Sequence, residues 1–332
     1  MESHRRSFCA ALTICIALLT SCKHSVYLKA TETFADSTKA GIDTFRPAAT
    51  TAHTICISRA ESAFLRQRLS GEKPWGSRPK RSEWFDDASV GPVTGTTWNS
   101  YCEEIKKTNE GLQRIYGGLG AYADALKNME EGAKVDADKL SAVAQDTSSL
   151  VGKLTPANSP VGTAGAIMTS AFKAAAGPLA DLARLVEESI ADKKLRDSVK
   201  KTDPAIQGLL GHLLTYSSAV KSEALALQND TQVLLNQMDT SLKDAHPDAL
   251  RGAEFASYAH KAEQDARDQI TAQDKYQLAV NSLKAAHDAL AKAAQQKLSD
   301  ESLASAIAAR RESVVDAVRD IQALLHIKGS AQ

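Results

Sequence analysis

Apolar residues recur at three- and four-residue steps along nearly the whole chain, the spacing that places them on one face of an α-helix. The clearest run reads Ile206, Leu210, Leu213, Ser217, Val220, Ala224, Leu227, Thr231, Leu234, Met238 and Leu242, an inward stripe about ten turns long. Asp203-Pro204 ahead of it has the form of an N-cap followed by proline at the first helical position. Upstream, residues 26–69 carry Leu28, Phe34, Ile42 and Phe45, then Ile55, Phe64, Leu65 and Leu69, with Pro47 expected to kink or divide the helix. Ser100-Tyr101-Cys102-Glu103 fits a capping box, and Ile105, Leu112, Ile115, Leu119, Tyr122 and Leu126 keep the helical step as far as Gly132. The pattern further predicts helices over 136–154, 163–200 with a bend at Gly177-Pro178, 248–298 after His246-Pro247, and a last one after Ser299-Asp300. Long helices with brief connections pack antiparallel, so the reading is an all-α, elongated antiparallel bundle about 70 Å long. No fixed-period repeat points to a solenoid.

One region breaks this grammar. Residues 70–98 hold Gly71, Pro74, Gly76, Pro79, Gly91, Pro92 and Gly95, and read as an irregular loop with a short hairpin around 93–97. All three tryptophans of the chain, Trp75, Trp84 and Trp98, fall there, beside Arg66, Arg68, Lys73, Arg78, Lys80 and Arg81 against a single Glu72. Basic side chains interleaved with indoles suit an anionic headgroup, a glycan or an acidic partner, with Trp75, Trp84, Arg78, Lys80 and Arg81 as contact residues. The bland alternative is that the indoles pack the loop onto the bundle end while the charges stay solvated.

The N-terminus carries the most specific signal. Arg5 and Arg6 precede an uncharged, mostly apolar run from Phe8 to Leu19, too short to span a bilayer and typical of a secretory signal peptide. It ends in Leu19-Thr20-Ser21-Cys22, which resembles the lipobox of bacterial lipoproteins. The resemblance covers the first 22 residues. It implies cleavage before Cys22, lipid on the Cys22 thiol, and two or three acyl chains that anchor stably where one binds reversibly. Lys23 in place of the inner-membrane retention Asp implies the outer membrane of a Gram-negative envelope, facing the periplasm. The chain then divides into a signal peptide (1–21), a lipidated tether (22–25) and one helical domain (26–328).

Processing removes Cys9 and Cys15 and commits Cys22, leaving Cys56 and Cys102 in an exported chain. A disulfide is the natural reading, two buried free thiols the other. The bridge closes a loop with 45 residues between the cysteines, worth about 4 kcal/mol on the chain-entropy model.

Composition narrows the function classes. With 40 Lys+Arg against 40 Asp+Glu and a pI near 7.1, the chain lacks the electrostatic footprint of a nucleic-acid binder. Between Leu154 and Ala183 the only charges are Lys173 and Asp181, and this small, apolar mid-chain stretch weakly resembles the hydrophobic head of helical pore-forming toxins of the cytolysin A type. The plainer reading is a helix buried in the core. No zinc-protease, redox, nucleophile-elbow or phosphate-loop motif is present, and none of the eight histidines has a Glu three residues before it, as a di-iron bundle needs. His260 and Glu263 read as a solvated pair, and Gly117-Gly118-Leu119-Gly120 as close helix packing. The sequence therefore describes a non-enzymatic, cofactor-free and metal-free structural or binding module of the envelope. Its partners are the membrane through its lipid and an envelope protein or glycan. The competing class is a membrane-active, pore-former-like protein using 154–183.

Overall fold

The computed structural model describes residues 2–69, 85–89, 91–92, 94–131, 137–153, 164–192, 195–244 and 249–325, with side chains over 26–48, 51–67, 85–89, 91–92, 94–129, 138–149, 164–186, 195–239 and 256–325. Among these residues there are seven α-helices and no strand: α1 Glu2–Leu69, α2 Trp98–Glu131, α3 Ala137–Lys153, α4 Ala164–Asp192, α5 Leu195–Asp244, α6 Ala249–Ala294 and α7 Asp300–Leu324. The all-α bundle expected from periodicity is the fold. At 1.5 Å per residue, α5 with its 50 residues spans about 75 Å.

Cross-helix pairs fix the direction of every element. Lys39–Asp124 and Cys56–Cys102 set α1 and α2 antiparallel, Arg114 reaching the Asp146 carbonyl does so for α2 and α3, and Asp203–His287 with Ser217–Gln273 does so for α5 and α6. Thr108–Thr169 and Tyr101–Gly165 set α2 and α4 parallel, as Tyr27–Arg196 and Arg59–Asp230 set α1 and α5. Odd-numbered helices therefore run one way and even-numbered ones the other. The centre is a four-helix core of α1, α2, α5 and α6, with α4 laid against α2 and α5, α3 against α2 and α4, and α7 against α1 and α6. One contiguous apolar core runs from Tyr27 to Ile321.

Pro47 does not divide α1, which continues through it. A proline inside a helix costs about 3 kcal/mol, and packing on several sides holds the helix together. Gln113 donates to the Arg46 carbonyl at 3.0 Å and Gln269 to that of Ala48 at 3.5 Å, tying the helix on either side of the ring to α2 and α6. Two expected helix starts move. Thr97, not Ser100, caps α2: its Oγ1 accepts from the Ser100 N–H at 3.1 Å, and its carbonyl accepts from the Tyr101 N–H. Asp203-Pro204 is not an N-cap but lies inside α5, and the expected helix over 163–200 ends instead at Asp192. Ser299 caps α7 as expected, accepting from the Ser302 N–H. No hairpin forms at the described positions 94–97, where Gly95 turns the chain at φ 82°.

The glycines of α2 explain how a second layer fits. An added Cβ on Gly111 would lie 2.3 Å from the Phe172 ring, and one on Gly118 would lie 2.4 Å from Leu179. Gly111 and Gly118 are seven residues apart, as are Phe172 and Leu179, so two parallel helices mesh through one repeated notch. In return, Gly165 of α4 receives the Tyr101 ring, and Gly208 of α5 receives Pro178.

Candidate functional site

The disulfide is present, joining α1 to α2 with Cα atoms 5.6 Å apart and both cysteines fully buried. One turn beyond Cys56 on α1 stands Arg59, and beside Cys102 on α2 stands Tyr101. Both reach across to Glu223 of α5: the Arg59 guanidinium lies 2.6 Å from one carboxylate oxygen, and the Tyr101 hydroxyl donates to the other. Arg59 also meets Asp230 at 3.3 Å, which Arg66 meets at 3.3 Å from the next turns of α1. The indole of Trp98 lies under the Arg59 guanidinium, 5.5 Å from the ring centre, and edge-on to Tyr101. The Gly165 N–H donates to the Tyr101 hydroxyl at 3.1 Å, bringing the start of α4 to the same point.

Electrostatics follow from burial. Burial alone would pull the Arg59 pKa down, but Glu223 and Asp230 outweigh it and hold the guanidinium above its usual value. Burial and then the neighbouring Glu223 charge push the Tyr101 phenol well above the usual tyrosine range. The cluster thus keeps Arg59 charged and Tyr101 neutral, a stable donor set around one buried carboxylate.

A second knot sits nearer the other end. His287, fully buried on α6, shares hydrogen bonds with Asp203 through Nδ1 at 2.8 Å and with the Tyr122 hydroxyl through Nε2 at 2.7 Å. Tyr122 also contacts the Thr202 hydroxyl at 2.8 Å, and Thr202 donates to the Ser198 carbonyl. Burial raises the Asp203 pKa, but hydrogen bonds from His287 and Gln207 win and hold the carboxyl below its ordinary value. Between the two knots, Tyr216 meets Asn109, and the Tyr116 and Tyr276 hydroxyls meet at 2.8 Å. Ser217 donates to Gln273 at 2.7 Å. His287 itself is fully buried, while Asp203 is part-exposed. These groups can hold helix register and exclude alternatives.

Of the three indoles, only Trp98 is among the described residues. Trp98 is a core residue, 3% exposed, which is the bland alternative for that indole. Trp75, Arg78, Lys80, Arg81 and Trp84 lie outside the described residues, as does the side chain of Cys22. The described part of the apolar stretch, 164–183, is a core helix whose Met168, Phe172, Leu179 and Leu182 are buried, and no helix among the described residues is long and apolar enough to cross a membrane. His260 is exposed, and Glu263 pairs with Arg267 at 2.6 Å. No cluster of metal-ligating side chains occurs among the described residues. An open groove of about 360 Å³ between α3 and α4 is lined by Ser141, Ala144, Gln145, Ala183 and Arg184.

Sequence reasoning missed Glu223 and His287. Each lies beside an apolar stripe, and a buried ionisable residue there is the signal that was available: His287 follows Leu283 by four and precedes Leu290 by three, while Glu223 adjoins Ala224. No protein-family model, characterised protein or solved structure matches the chain.

Proposed function

We propose that this chain is a lipid-anchored scaffold or adaptor of the bacterial cell envelope, acylated at Cys22 and facing the periplasm from the outer membrane. The observation that carries this reading is Leu19-Thr20-Ser21-Cys22 with four residues between Cys22 and Tyr27, the first buried residue among the described side chains. An exported, oxidising setting accords with the Cys56–Cys102 bridge. A non-enzymatic role accords with ionisable groups spent on helix-to-helix contacts. Partners are the membrane through the lipid and an envelope protein or glycan at the segment around Trp75 and Trp84. The pore-former-like alternative has less support, because α4 would have to leave the notches that Gly111 and Gly118 provide for Phe172 and Leu179.

The test is metabolic labelling with an alkyne fatty acid. Wild-type chain is expected to take up label, and Cys22→Ser to take up none and to run at the size of unprocessed precursor. Equal labelling of both would end the lipoprotein reading.

A further inference from the structure

Granting the Cys22 anchor on which it rests, we propose that the bundle stands upright on its membrane. The Tyr27 end meets the lipid, and the disulfide end is held about 50 Å out from the bilayer that carries it.

Four residues separate Cys22 from Tyr27, a tether that reaches about 17 Å even if fully extended. The start of the core therefore sits at the headgroups. Tyr27 is buried there beneath the Arg196 guanidinium, 4.3 Å from its ring centre, and its hydroxyl donates to the Leu290 carbonyl. From that point α1 rises without interruption to Leu69. Arg59, which stacks on Trp98, is 32 residues above Tyr27, or about 48 Å of helix. Because α2 is antiparallel to α1, residues 69 and 98, the two ends of the basic and aromatic segment, both lie in the half of the bundle away from the anchor.

Among the described residues, the flanks offer the bilayer no continuous apolar face. The exposed large apolar residues among those described, Ile167, Leu225, Val233, Leu278 and Val315, are spread over four helices, whereas a helix lying in an interface needs a continuous apolar face with basic borders. Exposed charges of α6 are matched along the helix itself, as in Lys261–Asp265, Glu263–Arg267 and Asp288–Lys292. A side-on pose would thus gain neither apolar burial nor attraction to anionic lipid.

Tryptophan gives the readout. The full lipidated chain carrying Trp75→Phe and Trp84→Phe, with Trp98 as its one donor, is incorporated into phosphatidylethanolamine–phosphatidylglycerol vesicles containing a dansyl-headgroup lipid. Energy transfer to dansyl is expected to stay at background. Adding Lys29→Trp, at an exposed position beside the anchor, is expected to introduce strong transfer in the same preparation. Co-flotation with transfer from Trp98 as strong as from position 29 would overturn the upright stance while leaving the anchor intact. Failure of the chain to float with vesicles would instead overturn the anchor, and the stance with it.

Discussion

Glu223 shows how much of this fold rests on single polar side chains. It is 1% exposed, and its two oxygens are occupied by Arg59 and Tyr101 from two other helices. Breaking a buried ion pair from one side leaves an uncompensated charge, at a cost of about 3–5 kcal/mol. Glu223→Gln should cost about 3 kcal/mol, the low end of that range, because Arg59 keeps Asp230 and 19% of its side chain still meets solvent. Urea unfolding of the oxidised protein measures it. At the other knot, the Asp203 carboxyl is held below its ordinary pKa of about 4. The sign follows: its contribution is present in full above the unfolded value and is lost as pH falls through the lower folded one. Asp203→Asn should flatten the loss of thermal stability between about pH 5 and pH 2, seen by circular dichroism melts; an unchanged acid limb would contradict this. Neither residue was legible as a partner in the sequence. Helical spacing tells which face a side chain occupies, but Glu223 and Tyr101 are 122 positions apart, and local pattern carries no information over that distance.

At the level of elements, the helices were legible because burial of one stripe repeats at the helical period over many turns, and that signal accumulates with length. Ends were less legible. Asp203-Pro204 has the local chemistry of a helix start, yet Asp203 is used for His287 and the helix begins at Leu195. Thr97 and Ser100 are both able to cap, and only the seating of Trp98 in the core selects the first. Glycines that look alike in sequence separate in the fold. Gly120 faces Ile42 at an ordinary 3.7 Å, while Gly111 faces the Phe172 ring at 2.3 Å. Gly120→Ala should stabilise the protein by up to about 1 kcal/mol through helix propensity. Gly111→Ala should destabilise it by about 1–3 kcal/mol, since a ring in a close-packed notch yields less than a methyl end does. Opposite shifts in denaturation midpoint would confirm the pair; equal ones would refute the notch.

For the whole molecule, cysteine arithmetic with residues 1–22 read as a signal peptide and lipobox anticipated the bridge, because once three cysteines are assigned elsewhere one pairing is left. The bridge ties α1 to α2 across the irregular segment, and Cys102→Ser should lower stability by about 4 kcal/mol on the chain-entropy account, read as a lower urea midpoint with helix content preserved. What lay beyond the sequence was the arrangement in the third dimension: that α1 touches α5, α6 and α7 as well as its neighbour α2, and that alternating helix directions hold Tyr27 and Trp98 towards opposite ends.

That placement of α1 has a consequence for how the protein is made. The Tyr27 hydroxyl finds its acceptor 263 positions later, and Thr44 is met by Gln322, 278 positions later. The helix synthesised first is therefore the one completed last. Its stripe of Phe34, Ile42 and Phe45 meets α2 through Tyr116 and Gly120 but stays incompletely covered until α6 and α7 have been delivered, a high-contact-order closure in which part of an apolar surface waits in the open. Holding chaperones and proteases should meet this chain first along its opening helix, and a nascent chain stalled before residue 300 would present that stripe to them for as long as the stall lasts.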